Sequence, residues 1–341
     1  MYSLIKKVLF KFSPESVHYM TMDGLRLANA LKLIPSFGKK YQVPVQLSGI
    51  EFPNVVGLAA GFDKNAKYIE ELRALGFGSI EIGTLTPLPQ SGNDKPRLFR
   101  LTTDEALINR MGFNNDGAGV ISQRLLGLRK QGYKGIIGGN IGKNKQTDNK
   151  DAHTDYIKCF DAIQDYVDYI AINVSSPNTP RLRALQDLDS LTKIVDEVGH
   201  RNAKRSKKLP VFVKIAPDLE NEALNDIVKL TEVSSVQGII TTNTTISREH
   251  LKTNPEMINT IGNGGLSGLP LKILSREKLS YLRKALPNQV NIISSGGIMD
   301  AEEAKVRLRL GADIIQLYTG FIYSGPQLIA DICKEYKNMN G

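Results

Sequence analysis

The chain is poor in the residue types that most often carry catalysis or bind metals. It has four histidines and two cysteines in 341 residues. Cys159 and Cys333 lie far apart without ligand spacing, so neither a disulfide framework nor a structural zinc site is expected, and no metal is assigned. A reducing compartment fits that usage. His18 lies near the N-terminus, His153 and His200 in or beside helical segments, and His250 in a long loop. None falls at the end of a strand-like run, and no G-x-S-x-G elbow occurs, so a Ser-His-Asp hydrolase is not supported. Long apolar runs are also missing, and nothing approaches the ~20 residues of a spanning helix. The short apolar stretch near residue 1 has no small-residue cleavage site after it, and no secretion signal is expected.

What remains is an ordinary globular composition, 41% hydrophobic and 23% charged, which supplies a core and argues against disorder. The formal net charge is +9. Such a balance suits nucleic acid or an anionic membrane surface. The basic residues are mostly scattered. Their densest run, Arg201, Lys204, Arg205, Lys207 and Lys208, reads as a helix C-terminus followed by a solvated loop.

From about Pro53 onward, Val- and Ile-rich runs alternate with segments of helical period. The runs are 55–59, 79–83, 135–141, 169–174, 210–215, 238–242, 291–295 and 313–318. Helices are expected at 67–75, 117–130, 152–166, 188–205, 220–233, 271–286, 301–308 and 327–336. The runs are apolar throughout rather than alternating, as a parallel sheet covered by helices requires. Eight βα units in succession predict an α/β fold, a (β/α)8 TIM barrel. An open doubly wound sheet would want G-x-G-x-x-G after the first strand, and Gly57-Leu58-Ala59-Ala60-Gly61 does not match it. Residues 1–50 stand outside the repeat. They read as a small helical extension and linker, and 51–341 as the barrel. In the extension Leu4, Ile5, Val8, Leu9 and Phe12 recur at helical spacing, with Lys6, Lys7 and Lys11 off that stripe. A second helical segment runs from about 14 to 33.

Barrel chemistry sits where strands end. Here the ends are polar or glycine-rich: Ala60-Gly61-Phe62-Asp63-Lys64, Gly83-Thr84, Asn140-Ile141-Gly142-Lys143, Asn173 to Thr179, and Thr242-Asn243-Thr244. Ser295-Gly296-Gly297 and Tyr318-Thr319-Gly320 follow strands seven and eight, the usual phosphate site of this fold, where glycines let backbone N–H groups approach an anion. Lys214 interrupts the apolar strand Val211 to Ile215. It must be paired, face a ligand, or snorkel at the strand end. Beneath a cofactor ring it would stabilise negative charge gained on reduction. Asn109, Asn173, Asn178 and Asn243 each offer a donor beside an acceptor, which suits a small ring of alternating N–H and C=O groups, although a lone asparagine is as often a turn residue. Ser176 is the candidate base. With no histidine partner it needs an acidified proton, or a relay through Thr179 or water.

Together these segments resemble the class 2 dihydroorotate dehydrogenases over nearly the whole chain. The most specific element is Asn173-Val174-Ser175-Ser176-Pro177-Asn178-Thr179, joined by Ala60 to Lys64, Asn109-Arg110-Met111-Gly112-Phe113, Gly265-Leu266-Ser267-Gly268 and Ser295-Gly296-Gly297. The resemblance implies oxidation of dihydroorotate to orotate in pyrimidine synthesis, with FMN bound. Ser176 would remove the C5 proton while hydride leaves C6 for the flavin. It assigns flavin contacts to Ala60, Gly61, Phe62, Asp63, Lys64, Thr84, Asn140, Asn173, Lys214, Thr242, Gly268, Gly297, Tyr318 and Thr319. It assigns substrate contacts to Lys64, Asn109, Arg110, Met111, Gly112, Phe113, Asn173, Asn178, Asn243 and Thr244. A serine base and an N-terminal helical extension separate class 2 from the soluble class, and imply electron transfer to a membrane quinone by way of that extension. A monomer peripheral to the cytoplasmic face of the cell membrane, without nucleic-acid binding, is expected. Two departures stand out: Phe62 replaces a common leucine, and Arg181 stands where the family commonly has glycine, which bears on the mobility of the serine loop.

Two other readings compete. A tRNA dihydrouridine synthase would share the fold, but resembling it would call for a catalytic cysteine and a C-terminal RNA-binding domain, and only a short tail follows strand eight. A non-catalytic, membrane-recruited module would lack bound flavin altogether.

Overall fold

In the computed structural model, which describes residues 2–35 and 37–340, eight parallel strands close into a barrel. They are β1 (Val56–Leu58), β2 (Ser79–Leu85), β3 (Ile136–Ile141), β4 (Tyr169–Asn173), β5 (Val211–Ile215), β6 (Gly238–Thr241), β7 (Asn291–Ser295) and β8 (Ile314–Leu317). Each pairs with its neighbour in sequence, and β8 returns to β1 with Leu317 opposite Leu58. The expected strands and the helices between them are all present, with ends shifted by a few residues. Side chains alternate across a strand. Ile80 and Ile82, or Ile170 and Ile172, therefore lie under the helices, while Glu81, Tyr169, Lys214 and Gln316 meet inside the barrel, where non-adjacent strands can touch.

Both ends of the barrel carry structure that the repeat did not reveal. An antiparallel hairpin, Val45–Leu47 with Ile50–Phe52, straddles the expected boundary at residue 50. Its buried Leu47 and Phe52 alternate with exposed Gln46 and Glu51. It lies at the strand N-terminal end, where Ser48 Oγ donates to Asn291 Oδ1 at 2.7 Å. The Phe52 ring lies 6.3 Å from that of Tyr169, which meets Phe212 at 5.5 Å. This aromatic stack seals the floor. At the opposite end the long connections after β2 and β6 pair with each other. Leu98–Leu101, Ala106–Asn109 and Gly265–Gly268 form a three-stranded antiparallel sheet with Asn109 opposite both Leu98 and Gly265. That register sets Asn109 and Gly268 over the barrel mouth.

The extension forms α1 (Tyr2–Leu9) and α2 (Pro14–Ala30), the latter capped by Ser13, whose hydroxyl accepts from the Ser16 N–H at 3.3 Å. Three contacts seat α1. The Tyr2 hydroxyl donates to the Ile322 carbonyl at 2.6 Å, Lys6 Nζ donates to the Tyr323 carbonyl at 2.9 Å, and the Phe10 ring packs edge-on to Tyr323 at 5.3 Å. Lys6 is thus turned towards the barrel. Leu4, Val8 and Phe12 remain 67%, 58% and 57% exposed, so most of the apolar stripe faces away from the barrel. Helix α2 is tied down by a buried ion pair, Glu15 with Arg97 at 2.8 Å. Burial raises the Glu15 carboxyl, but the Arg97 guanidinium and its hydrogen bond prevail and hold it below the usual range. Of the basic run at residues 201–208, Arg201 and Arg205 pair with Asp161 and Asp165 of the neighbouring helix and its end. Among the described residues no helix is long and apolar enough to cross a membrane.

Candidate active site

The strand C-termini surround a cavity open at the barrel mouth. Ala60, Gly61 and Lys64 enter it after β1, Thr84 from β2, Asn173, Ser176 and Asn178 from β4 and its loop, and Lys214 from β5. Thr242, Asn243 and Thr244 follow β6, and Gly297, Tyr318 and Thr319 follow β7 and β8. The upper sheet and its flanks add Asn109, Met111, Gly112, Phe113 and Gly268. Four expected residues do not line this space. Phe62 points into a second cavity, edge-on to His18 at 4.9 Å. Asp63 is buried and caps the following turn, accepting from the Lys67 and Tyr68 N–H groups at 2.9 and 2.8 Å. Asn140 sits one layer down, accepting from Thr84 Oγ1 at 2.5 Å. Arg110 braces the rim by donating to the Ile261 carbonyl at 2.8 Å and the Pro96 carbonyl at 3.0 Å.

Lys214 is buried, and its position is explained by Glu81, whose Oε1 lies 3.6 Å from Nζ. The fully buried Glu81 carboxylate also accepts from Asn140 Nδ2 at 2.8 Å, Gln316 Nε2 at 2.6 Å and the Tyr169 hydroxyl at 3.1 Å. Four strands thus fix one acid. The network reaches the cavity through Asn173 Nδ2, which donates to Thr84 Oγ1 at 2.7 Å. Glu81, Gln316 and Tyr169 were not singled out from sequence. The signal was present for Glu81: a carboxylate in Ser79-Ile80-Glu81-Ile82 is the same anomaly as the lysine in β5, with the opposite charge.

At the serine loop, Ser176 is 6% exposed and its Oγ accepts from the Asn178 N–H at 3.3 Å. Asn178 Nδ2 donates to Asn109 Oδ1 at 2.9 Å, and Asn243 Nδ2 to Ser175 Oγ at 3.0 Å. The amides on three separate loops therefore form one connected wall. The Thr179 hydroxyl is buried without a partner among the described residues. Arg181 takes a left-handed φ of 55°, a conformation that glycine adopts freely and other residues resist.

Lys64 stands between the two cavities and lines both, with Gly61, Met111 and Tyr318. Its ammonium donates to the Gly61 carbonyl at 2.8 Å. Enclosure by protein lowers its pKa to about 8. The second cavity lies between α1, α2 and the barrel. Its walls are mainly apolar, including Ile5, Leu9, Val17, Met22, Leu25 and Phe62, with Glu15, His18, Thr21, Lys64 and Arg100 among the polar exceptions. Burial drives His18 down to about 4, so it is neutral near pH 7.

The first cavity's donors suit a phosphate-bearing planar ring. Gly296 and Gly297 take successive positive φ values of 96° and 74°, the kind of backbone that turns N–H groups towards an anion. Further along, Gln316 lines the cavity with its amide oxygen buried and unpartnered among the described residues, an acceptor that a ring N–H would satisfy. This mouth defines a (β/α)8 barrel built to hold a phosphate-bearing ligand at its strand C-terminal end. The dihydroorotate dehydrogenase family profile matches residues 42–339, and the chain belongs to that family. It is 49% identical over 336 residues to a dihydroorotate dehydrogenase (quinone) of Christiangramia forsetii, covering 97% of this chain and 96% of the relative. A protein of the same name from Akkermansia muciniphila is 42% identical over 342 residues, covering 99% and 97%. Among solved structures, the Eimeria tenella enzyme in complex with ferulenol superposes with a TM-score of 0.87 at 38% identity, covering 96% of this chain and 91% of that one. Its ligand-free form gives 0.85 at 37% identity, covering 94% of each.

Lys214→Met leaves Glu81 without its counter-charge. The expected loss is about 3–5 kcal/mol, read as a fall in the urea unfolding midpoint. Adding Glu81→Gln should recover at least about 1 kcal/mol of it in a double-mutant cycle. Strictly additive losses would show that the two side chains do not interact.

Proposed function

We propose that this chain oxidises (S)-dihydroorotate to orotate in pyrimidine synthesis, with FMN as its flavin and a membrane quinone as the electron acceptor. The observation that carries this reading is a buried serine, Ser176, in an amide-walled cavity that shares Lys64 with an apolar second cavity. The phosphate of FMN would be held by the loops of Gly297, Tyr318 and Thr319, with Gly268 beside them. Its ring would lie against Ala60, Gly61, Thr84, Asn173, Lys214 and Thr242. Bound there, the flavin supplies a two-electron acceptor for the hydride leaving C6 of the substrate. Lys214 would stabilise the negative charge that the ring gains.

The chain's own part is to hold the substrate and move one proton. Lys64 would pair with the substrate carboxylate. Asn109, Asn178, Asn243 and Thr244 would match the ring's N–H and C=O groups, while Met111, Gly112 and Phe113 close the space above. Hydrogen bonds to the carbonyl beside C5 acidify its protons, and a base as weak as a hydroxyl needs that help. Ser176 Oγ would remove the C5 proton, with the Thr179 hydroxyl close in sequence to pass it on. Burial at this loop keeps bulk water away from the reacting carbons.

The second cavity is read as the quinone's path. Its entrance is framed by helices whose exposed Leu4, Val8, Met20, Leu27 and Leu31 accompany Lys7 and Lys11. Such a pair lies in a membrane interface rather than spanning it. The anionic cytoplasmic leaflet suits the chain's positive charge, which supports a peripheral position on that face. The family match and the relatives described above do not favour the tRNA-modifying alternative.

The deciding experiment is anaerobic mixing. Dihydroorotate should bleach the bound flavin, and a long-chain quinone in liposomes should restore its colour. With Ser176→Ala, reduction should slow by at least about a hundredfold, as loss of a general base does. FMN content and orotate binding should stay near wild type, and near-normal reduction at neutral pH would remove Ser176 from the base role. The second expectation concerns pH. Below about 8 Lys64 is charged, so orotate affinity should be flat there; above it the charge is lost, and the dissociation constant should climb towards tenfold per pH unit. Lys64→Met should abolish that slope in a fluorescence titration. Third, truncation of the extension would strand Arg97 without Glu15, so point changes test the membrane role better. Leu4→Glu with Val8→Glu should cut liposome binding and quinone turnover in liposomes while dihydroorotate still reduces the flavin at the wild-type rate. Unchanged liposome binding would make the exposed stripe irrelevant to the membrane.

A further inference from the structure

Arg183 lies outside the cavity, in the 3-10 turn Leu182–Gln186 that follows the serine loop. Its guanidinium reaches three different strand-end loops. Nε donates to the Ser175 carbonyl at 3.0 Å, next to the candidate base. Nη2 donates to the Thr244 carbonyl at 2.8 Å, next to Asn243. Nη1 pairs with Asp218 Oδ2 at 2.7 Å, in the loop after β5. The other oxygen of Asp218 accepts from the Thr245 hydroxyl and, at 3.4 Å, from the Ile246 N–H. On the cavity side the same two loops are bridged by Asn243 Nδ2 donating to Ser175 Oγ. The loop that carries Ser176 and the loop that carries Asn243 and Thr244 are therefore clamped from both faces, by an amide inside and a guanidinium outside.

We infer that Arg183, held in place by Asp218, is a positioning residue for proton removal: it fixes the spacing between Ser176 Oγ and the ring gripped by Asn243 and Thr244. The inference rests on the dihydroorotate reading of the cavity. The physical reason for an arginine is its planar fork, which addresses three acceptors at fixed angles, whereas a lysine ammonium is a point charge on a flexible stem. Two of the loops the clamp joins carry residues assigned to dihydroorotate, Asn178 on one and Asn243 and Thr244 on the other; the third supplies Asp218. Neither Arg183 nor Asp218 lines the second cavity.

The test compares full-length, flavin-loaded Arg183→Met, Arg183→Lys and Asp218→Asn. Displacement of a base by about 1 Å can cost a hundredfold, so Arg183→Met should slow anaerobic flavin reduction by about that factor, mainly in the limiting rate rather than in the half-saturating dihydroorotate concentration. The isotope effect with C5-deuterated substrate should rise, because proton removal becomes more limiting. Arg183→Lys should recover less than about a tenth of the rate, and Asp218→Asn should fall between. Flavin content and quinone oxidation of chemically reduced enzyme should match wild type. The inference is overturned if Arg183→Met reduces at the wild-type rate, or if Lys restores full activity. It is equally overturned if flavin content and both half-reactions fall together, or if a slowed reduction carries no added isotope effect. Ser176→Ala separates the two layers: if it reduces slowly while Arg183→Met reduces normally, the clamp alone has failed; if both reduce normally, the assignment of the base has failed and the clamp with it.

Discussion

A carboxylate sealed inside a barrel must be satisfied from every side, and Glu81 sets that condition here. Taking such a group out of water costs several kcal/mol, which only charge pairing and hydrogen bonds can offset. Lys214, Asn140, Gln316 and Tyr169 meet the need from β5, β3, β8 and β4. The arrangement holds four strands at a fixed depth relative to β2. It also presents Lys214 at the base of the cavity with its position already determined. Asn140 and Asn173 extend the same network upward to Thr84, so the polar mouth is continuous with the polar centre. Below it, Tyr169, Phe212 and Phe52 turn the interior apolar again and close it.

The eight strands were readable because burial on both faces makes them uniformly apolar, a pattern that needs no knowledge of tertiary contacts. The upper sheet was not. Its strands are four residues long, and Gly265 pairs with Asn109 across much of the chain, so no local period marks it. The floor hairpin was hidden for the same reason, with three residues per strand. Both additions matter to function, one by placing Asn109 over the mouth and the other by sealing the opposite end.

The site residues show a subtler limit. A motif read as one unit divides once folded. In Ala60 to Lys64, the first two residues meet the main cavity, Phe62 turns to the second, Asp63 turns back to bind the backbone of the following turn, and Lys64 lies between the cavities. Residue type and order cannot disclose those directions, which depend on the turn each backbone unit makes. Charge in an apolar strand was a better guide. Lys214 was recognised by it, and Glu81 could have been. Arg183 carried no such mark, since an arginine in a polar loop is unremarked until its three acceptors are brought together by the fold.

The placement of α1 has a kinetic consequence. Tyr2 and Lys6 fasten it to carbonyls of the helix that begins at Thr319, so the second cavity, which α1 helps to wall, is fixed relative to the barrel mouth. On the proposed docking, that cavity is served from lipid while the amide-walled cavity serves a solute from water. The two substrates would then be supplied from different phases. For the one in lipid, the governing quantity is its mole fraction in the bilayer, not its amount per volume of solution. Adding unloaded vesicles at constant total quinone would dilute one substrate and leave the other untouched, so apparent saturation would follow the lipid-to-protein ratio.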